Sequence, residues 1–334
     1  MRKHRKLLIL VLLLAFASVL AVWLYRRGVS PPETASLLPD GDRLIYLNLK
    51  PAHLFDLTKS NPVRPEPDYQ DFMDKTGIQL ERDLDEAAVS QRDVAGGRDV
   101  ESSEVFVGRF DRARLQHYLQ QLSSQTESYR GQTVFVIPHQ GHLVRACVLD
   151  SSRVVVTNIQ SPEGMHGLID RAQKPASGPE LLESYYRRVP MGSLAWIIAR
   201  FPADSSAAQL PGGFNFSFLE NTVAVVSVRY NGSAALKADL VAENEAQARH
   251  IQNEVQTFLT MSRAVSSTLR PRGGDADVKA AIDSVQITQK ANVATLTATL
   301  SEKFLRKVMS EVEPGVLSPA PAPPPASSLP GRKR

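Results

Sequence analysis

The sequence has a single cysteine, Cys147, among its 334 residues, so no disulfide can form within the chain. It also has no Walker phosphate loop, no glycine-rich dinucleotide fingerprint, no HExxH zinc motif and no GxSxG nucleophile elbow. Cys147 lies among apolar residues that alternate with polar ones, which predicts a buried structural thiol rather than a reactive one. The sequence therefore names no catalytic, cofactor-binding or metal-ligating residue.

Acidic residues are missing from the first 27 positions, which hold six lysines and arginines. This segment accounts for the sequence pI of about 9.1, because residues 28–334 carry 33 basic and 35 acidic side chains. A groove for nucleic acid needs lysine and arginine clustered on the folded part of the chain. Since the basic excess lies at the chain ends, we expect no nucleic-acid partner.

Residues 7–25 form an uncharged, apolar run of 19 residues. As a helix this run is roughly 28 Å long, close to the hydrocarbon thickness of a bilayer. Trp23 and Tyr25 stand at its end, where aromatic rings favour the membrane interface. Four lysines and arginines precede the run and two follow it, so the positive-inside rule places residues 1–6 in the cytoplasm and residues 28–334 outside. The sequence predicts a single-pass protein of the cytoplasmic (inner) membrane whose partner along residues 7–25 is the lipid bilayer.

A cleaved signal peptide is the alternative interpretation of this segment. Ala15-Phe16-Ala17 has the small-x-small form of a cleavage site. Cleavage there would leave residues 18–25 as an apolar terminus of the mature protein. An uncleaved anchor is therefore favoured.

Prolines mark both ends of the part that follows the anchor. Residues 26–36, with Pro31 and Pro32, are typical of a short spacer, and residues 314–334 are typical of a disordered Pro/Ala-rich tail. Between them the sequence predicts two tandem α+β halves, residues 37–190 and residues 191–313.

The two halves are predicted from a strand–turn–strand–helix pattern that occurs four times. Apolar and polar residues alternate in the strands, as expected for a sheet covered on one face. A residue able to cap free N–H groups opens each helix: Asp111, Ser161, Asn244 and Ser301. The pattern predicts an α+β fold in which an antiparallel sheet carries its helices on one face. The four units cover residues 85–123, 142–173, 222–269 and 285–312, and an extra strand opens each half at residues 44–49 and 194–201.

Two clusters could carry chemistry. Among the seven scattered histidines only His139 and His142 lie close, where a turn could offer two imidazoles to one metal. The simpler interpretation is a solvent-exposed turn beside Gly141. Carboxylates gather in residues 81–86, but Arg82 interrupts them and the spacing of a calcium-binding EF-hand is missing, so we expect a solvated strand entry.

Three phenylalanines alternate in residues 211–219, directly after two glycines. An edge strand packed into the core and an exposed apolar loop that docks on lipid or a partner are both compatible with this pattern. Asn231-Gly232-Ser233 matches the glycosylation pattern, but Asn231-Gly232 also gives a strong hairpin signal. Gly108-Arg109-Phe110-Asp111 is explained as a strand end that turns into a capped helix.

Several phrases of the first half resemble uncharacterised bacterial envelope proteins that join a single-pass anchor to an α+β ectodomain. The phrases are Leu38-Pro39-Asp40-Gly41-Asp42 before a strand, residues 105–111, and Tyr129-Arg130-Gly131. The resemblance implies the anchor and the hairpin–helix arrangement over residues 37–190. It implies no activity, ligand or catalytic residue.

The sequence favours a non-enzymatic, membrane-tethered domain that binds or scaffolds a component of the cell envelope, because no nucleophile, base and orienting group can be recognised together. Two alternatives stay open. The first is an envelope hydrolase or transferase with an unrecognised active site. The second is that the proline-rich tail, residues 314–334, is the interaction element and the domain a spacer.

Overall fold

The computed structural model describes residues 30–51, 67–94, 99–174, 177–203, 209–210, 214–215, 219–268 and 275–304. The predicted membrane helix at residues 7–25, the basic segment before it and the proline-rich tail lie outside these residues. Within the described ranges, no helix is both long enough and apolar enough to cross a bilayer.

One twelve-stranded antiparallel sheet organises the chain, in the order β13-β14-β12-β11-β8-β1-β2-β3-β7-β6-β5-β4. A separate two-stranded ribbon joins β9 and β10. The strands are β1 Arg43–Asn48, β2 Leu84–Asp93, β3 Val100–Gly108, β4 Gln125–Tyr129, β5 Gln132–His139, β6 His142–Val148, β7 Arg153–Thr157, β8 Ala195–Phe201, β9 Gln209–Leu210, β10 Phe214–Asn215, β11 Thr222–Tyr230, β12 Ser233–Val241, β13 Gln286–Lys290 and β14 Val293–Ser301.

Eight helices accompany the strands in the described part of the chain, and a 3₁₀ turn follows the sixth at Tyr186–Arg188. The helices are α1 Glu33–Ser36, α2 Pro67–Thr76, α3 Leu80–Asp83, α4 Arg112–Leu122, α5 Pro162–Gln173, α6 Glu180–Tyr185, α7 Glu245–Thr268 and α8 Asp275–Ser284. Residues 302–304 are also helical. The mixed α+β class and the large antiparallel sheet expected from the sequence are confirmed.

The two halves share this sheet, and their strand orders match. The first half follows β1-β2-β3-β7-β6, and the second follows β8-β11-β12-β14-β13. The halves meet where β1 pairs antiparallel with β8, with Ile45 opposite Ile197. The repeated order accords with the repeated strand–turn–strand pattern of the sequence.

Local signals placed the turns and helix starts correctly. All four predicted caps accept a backbone N–H: Asp111 from Arg114 at 3.1 Å, Ser161 from Glu163 at 3.3 Å, Asn244 from Gln247 at 2.9 Å and Ser301 from Phe304 at 3.1 Å. The Asn231-Gly232 turn joins β11 to β12, with Gly232 at a φ of +74°. Such side-chain and turn chemistry depends only on neighbours in sequence, so it can be predicted from the sequence.

The prediction that all helices lie on one face of the sheet is wrong. We call the face that carries Val105 and Val155 the front face and the face that carries Phe106 and Val154 the back face. Helices α1, α5 and α6 pack on the front face of the first half, whereas α2 and α4 pack on its back face. In the second half, α7 packs on the back face. The cause lies in strands such as Val154-Val155-Val156, whose consecutive apolar residues must be covered on both sides.

The front-face core joins the two halves. Leu44 of β1, Leu168 of α5 and Trp196 and Ile198 of β8 belong to one buried cluster, which also includes Val225 of β11. A cavity opens at the edge of this cluster.

Candidate functional site

A cavity of about 870 Å³ lies on the front face beside β1, β2 and β8. Residues 30–34 and 190–193 line it together with side chains from these strands. The cavity therefore forms where the start of the folded domain meets the junction of the two halves.

Three aromatic rings make up one wall of the cavity. Tyr46 and Trp196 are opposite each other on β1 and β8, so their side chains share a face. Their rings stack with centroids 5.3 Å apart, and Tyr186 meets Trp196 edge-on at 5.7 Å. Burial raises the pKa of the Tyr186 hydroxyl above its ordinary value. Burial, with the adjacent Glu86 carboxylate, raises that of Tyr46 further, so both hydroxyls stay protonated.

Glu86 is the centre of a polar network in the cavity. Its carboxylate accepts a hydrogen bond from Thr34 Oγ1 at 2.6 Å and one from Lys50 Nζ at 2.8 Å, and the Tyr46 hydroxyl is its third neighbour. Burial would raise the pKa of Glu86, but the hydrogen bonds from Lys50 and Thr34 and the lysine charge outweigh burial and lower it. Glu86 is therefore an ionised anchor for three neighbours.

A second ion pair also lines the cavity. Arg153 donates from Nε to Asp150 Oδ2 at 2.9 Å and lies 3.7 Å from Glu33. Burial acts to raise the pKa of Asp150, but hydrogen bonds from Ser152 and Arg153 lower it on balance. With Lys50 and Glu86, the cavity thus presents both signs of charge.

The indole N–H of Trp196 has no hydrogen-bond partner among the described residues, although Trp196 is only 2% exposed. A buried donor without an acceptor costs about 1–3 kcal/mol, so native proteins seldom keep one without a reason. The side chain lines the cavity. A ligand oxygen in the cavity would satisfy this donor.

The lining favours binding over acid–base chemistry. Glu86 and Asp150 both have lowered pKa values and both are paired with cations, whereas a carboxyl acting as a general acid needs a raised pKa. The Ser193 hydroxyl donates to the carbonyl of Pro190 at 2.6 Å rather than to a base. In the described ranges, no three His, Cys, Asp or Glu side chains are grouped so that they could hold a metal ion.

The residues that the sequence suggested as possible site residues lie outside the cavity, with one exception. His139 and His142 are exposed and face each other across the turn between β5 and β6, as the simpler interpretation held. Cys147 is fully buried, and burial raises the pKa of its thiol to about 12, which confirms a structural role. The exception is the acidic cluster, because its last residue, Glu86, belongs to the cavity.

The structure also shows the positions of Asp83, in the acidic cluster, and of Phe214, in the phenylalanine-containing segment. Asp83 is buried and accepts from the Gln79 N–H at 2.9 Å and from Arg82, so the expected solvated strand entry is wrong for Asp83 and Glu86. Phe214 pairs with Leu210 in the small ribbon outside the main sheet. The side chains of residues 211–218 lie outside the described part, so the two interpretations of the three phenylalanines both stay predictions.

Sequence reasoning missed Tyr46, Lys50 and Trp196 as site residues. No local motif marks them, and they meet Glu86 only because β1 pairs with both β2 and β8. The one available signal was Trp196 itself, a rare residue type with a polar N–H placed in a strand that must be buried.

Comparisons with known proteins add no function. No protein-family model matches the chain, and no curated protein matches it. Solved structures that resemble it include crystal forms III, I and IV of TP0453, at 12%, 8% and 11% sequence identity. Their TM-scores are 0.46, 0.45 and 0.45, and they cover 84–85% of this chain and 97–99% of theirs. Both the identities and the TM-scores are too low to establish a shared fold or activity.

Proposed function

We propose that the chain is a non-enzymatic binding protein of the cell envelope, tethered by residues 7–25 and directed outward from the cytoplasmic membrane. The observation that carries the binding role is the buried, unpartnered indole N–H of Trp196 at the cavity. The tether rests on the length of the apolar run and on the charges that flank it. The resemblance to single-pass envelope proteins supports the same arrangement.

The lining indicates the chemistry of the ligand. The Trp196 N–H needs an acceptor oxygen on the ligand. The stacked rings favour a ligand with an apolar or aromatic group, and Lys50 and Arg153 each lie beside a carboxylate. Since the cations are already balanced by Glu86, Asp150 and Glu33, a simple multivalent anion is not favoured. An extended peptide segment carries carbonyl oxygens, apolar side chains and both charges, and it fits this lining best.

The cavity also lies close to the proposed anchor along the chain. Residues 30–32 line it, and only four residues separate Ser30 from Tyr25, the last residue of the apolar run. Even fully extended, this connection reaches about 17 Å. A ligand in the cavity would therefore be held near the membrane surface.

Replacing Trp196 with phenylalanine tests the binding role. Trp196→Phe keeps a ring against Tyr46 but removes the N–H, so we expect binding to weaken at least tenfold while the melting temperature stays level or rises. The measurement is calorimetric titration of the detergent-solubilised full chain with short peptides that carry one acidic, one basic and one aromatic residue. Trp23→Phe, in the proposed anchor, is the matched control. Absence of any peptide binding by the unmodified chain, or equal binding by Trp196→Phe, would contradict the proposal.

The tether has its own test, independent of the ligand. Membranes from cells that express the chain are washed with alkaline carbonate, which strips peripheral proteins but leaves spanning helices in place. We expect the full chain to stay in the pellet and a variant without residues 1–27 to be released. Release of the intact full chain would remove the tether but leave the cavity argument standing.

The hydrolase alternative has one observation in its favour, namely that three carboxylates line a deep cavity. A general acid among them would have to be protonated near neutral pH, whereas the pKa values of Glu86 and Asp150 are lowered. Loss of a measurable hydrolytic activity in Glu86→Gln, with peptide binding intact, would favour this alternative.

A further inference from the structure

An incompletely buried apolar row crosses the middle of the back face. Val89, Ile45, Ile197, Val226 and Ala238 are successive partners on β2, β1, β8, β11 and β12, so their side chains lie side by side on one face. None of the five is buried, and Ile197 is 40% exposed.

A second row runs parallel to the first, two residues along each strand. It consists of Ala87, Leu47, Ala195, Val228 and Leu236, again partners across the same strands. None of these is buried either, and Leu47 is 39% exposed. We call the two rows together the apolar groove. It contains no polar side chain, and a contiguous apolar surface of this kind that stays incompletely buried is a candidate docking site.

Helices border the apolar groove on both sides. The cluster that contains α2 and α4 covers the sheet beyond β2, and α7 covers it beyond β12. Gln247 of α7 donates to Thr222, the first residue of β11, so α7 begins over the end of this strand. The gap between the helices has an apolar floor.

We propose that the apolar groove is the docking site of this chain's own C-terminal segment, residues 302–312. The first residues of this segment are helical and are capped by Ser301, and the sequence predicts that the helix continues to Val312. Its apolar residues are Phe304, Leu305, Val308, Met309 and Val312. At helical spacing these residues form one continuous stripe, which is the surface that an apolar floor requires.

The start and length of the segment match the apolar groove. Ser301 pairs with Ser233 on β12, about three residues from the second row. Lys303 Nζ lies 3.5 Å from Asp277 of α8, and α8 packs against α7 of the back face. Eleven helical residues span about 16 Å, and the three strand spacings from β14 to β8 span about 14 Å.

The front face offers no comparable site to the segment. There Lys237 Nζ is 2.7 Å from Asp239, which also accepts from the Thr295 hydroxyl at 2.8 Å. An apolar stripe laid over this face would strip water from charged and polar groups. In the first half, α5 follows β7 as the segment follows β14. Helix α5 packs on the front face because Val155 and its neighbours on that face are apolar.

Thiol labelling tests the docking in the full chain. Ile197→Cys places a reactive thiol on the groove floor at β8, while the buried Cys147 stays silent. We expect slow labelling by a maleimide dye, accelerated at least tenfold when Val308→Asp and Met309→Asp are added. Ser310→Asp, on the opposite side of the predicted helix, is the matched control and should leave the rate low.

Three outcomes would overturn the proposal. Fast labelling of Ile197→Cys in the otherwise unmodified chain would show an open groove. Slow labelling whose rate does not change when Val308→Asp and Met309→Asp are added would mean that another part of the protein covers the apolar groove. Slow labelling that is lost on dilution would mean that a second copy covers it.

Discussion

Trp196 combines two environments that are rarely found on one buried side chain. Its ring is packed by Tyr46 and Tyr186, while its N–H has no acceptor in the described part of the chain. The packing contributes to stability in the empty protein, and the N–H lowers that stability. A residue arranged in this way is costly for folding alone, and a ligand acceptor would remove the cost.

Glu104 gives a prediction about pH at the residue scale. It lies on the back face of β3 between Val89 and Val156, and burial raises its pKa. A carboxyl whose folded pKa exceeds its unfolded value favours folding less as pH rises above the unfolded value, near 4.3. Glu104→Gln should therefore raise the melting temperature at pH 7, and the gain should vanish below about pH 4.

Thermal melts of Glu104→Gln at a series of pH values make this measurement. Glu183→Gln, at an exposed position of α6, is the control and should change little. A gain in stability that persists unchanged at low pH would show that charge burial is not its cause.

At the scale of elements, the reach of each interaction decides what the sequence could predict. The hairpin β11–β12 and the start of α4 depend on Asn231-Gly232 and on Asp111, which act on near neighbours. The faces on which the helices pack depend on which strands become neighbours, and that is settled by contacts between distant residues. For the same reason the cavity could not be foreseen, because Tyr46, Glu86 and Trp196 come from three separate strands.

The cap of α4 yields a prediction for this scale. Asp111→Ala removes the acceptor of the Arg114 N–H and should lower the free energy of unfolding by about 0.5–2 kcal/mol. Asp111→Asn keeps a side-chain oxygen at the cap, so it should retain most of the stability. Denaturant titration of both variants measures the difference. Equal losses in the two would assign the effect to the exposed Asp111–Arg114 ion pair instead.

At the scale of the whole molecule, the junction of β1 and β8 makes one body of two similar halves. Residues of both halves enter the same buried cluster, including Leu168 from the first and Ile198 and Val225 from the second. Neither half can keep its front-face core without the other, since each would expose its part of this cluster. The two matching sets of strands, which begin at β1 and at β8, therefore repeat in order but share one buried core.

This coupling predicts a single cooperative unfolding transition for the described domain. Ile198→Ala, at a fully buried site on the junction, should destabilise the protein by about 2–5 kcal/mol and should move the whole transition to lower temperature. Tryptophan fluorescence in a Trp23→Phe background follows the junction, and far-ultraviolet circular dichroism follows all strands and helices. We expect the two signals to change together in the parent and in Ile198→Ala. A fluorescence change that precedes the loss of most secondary structure would mean that the halves unfold separately and that the shared core does not couple them.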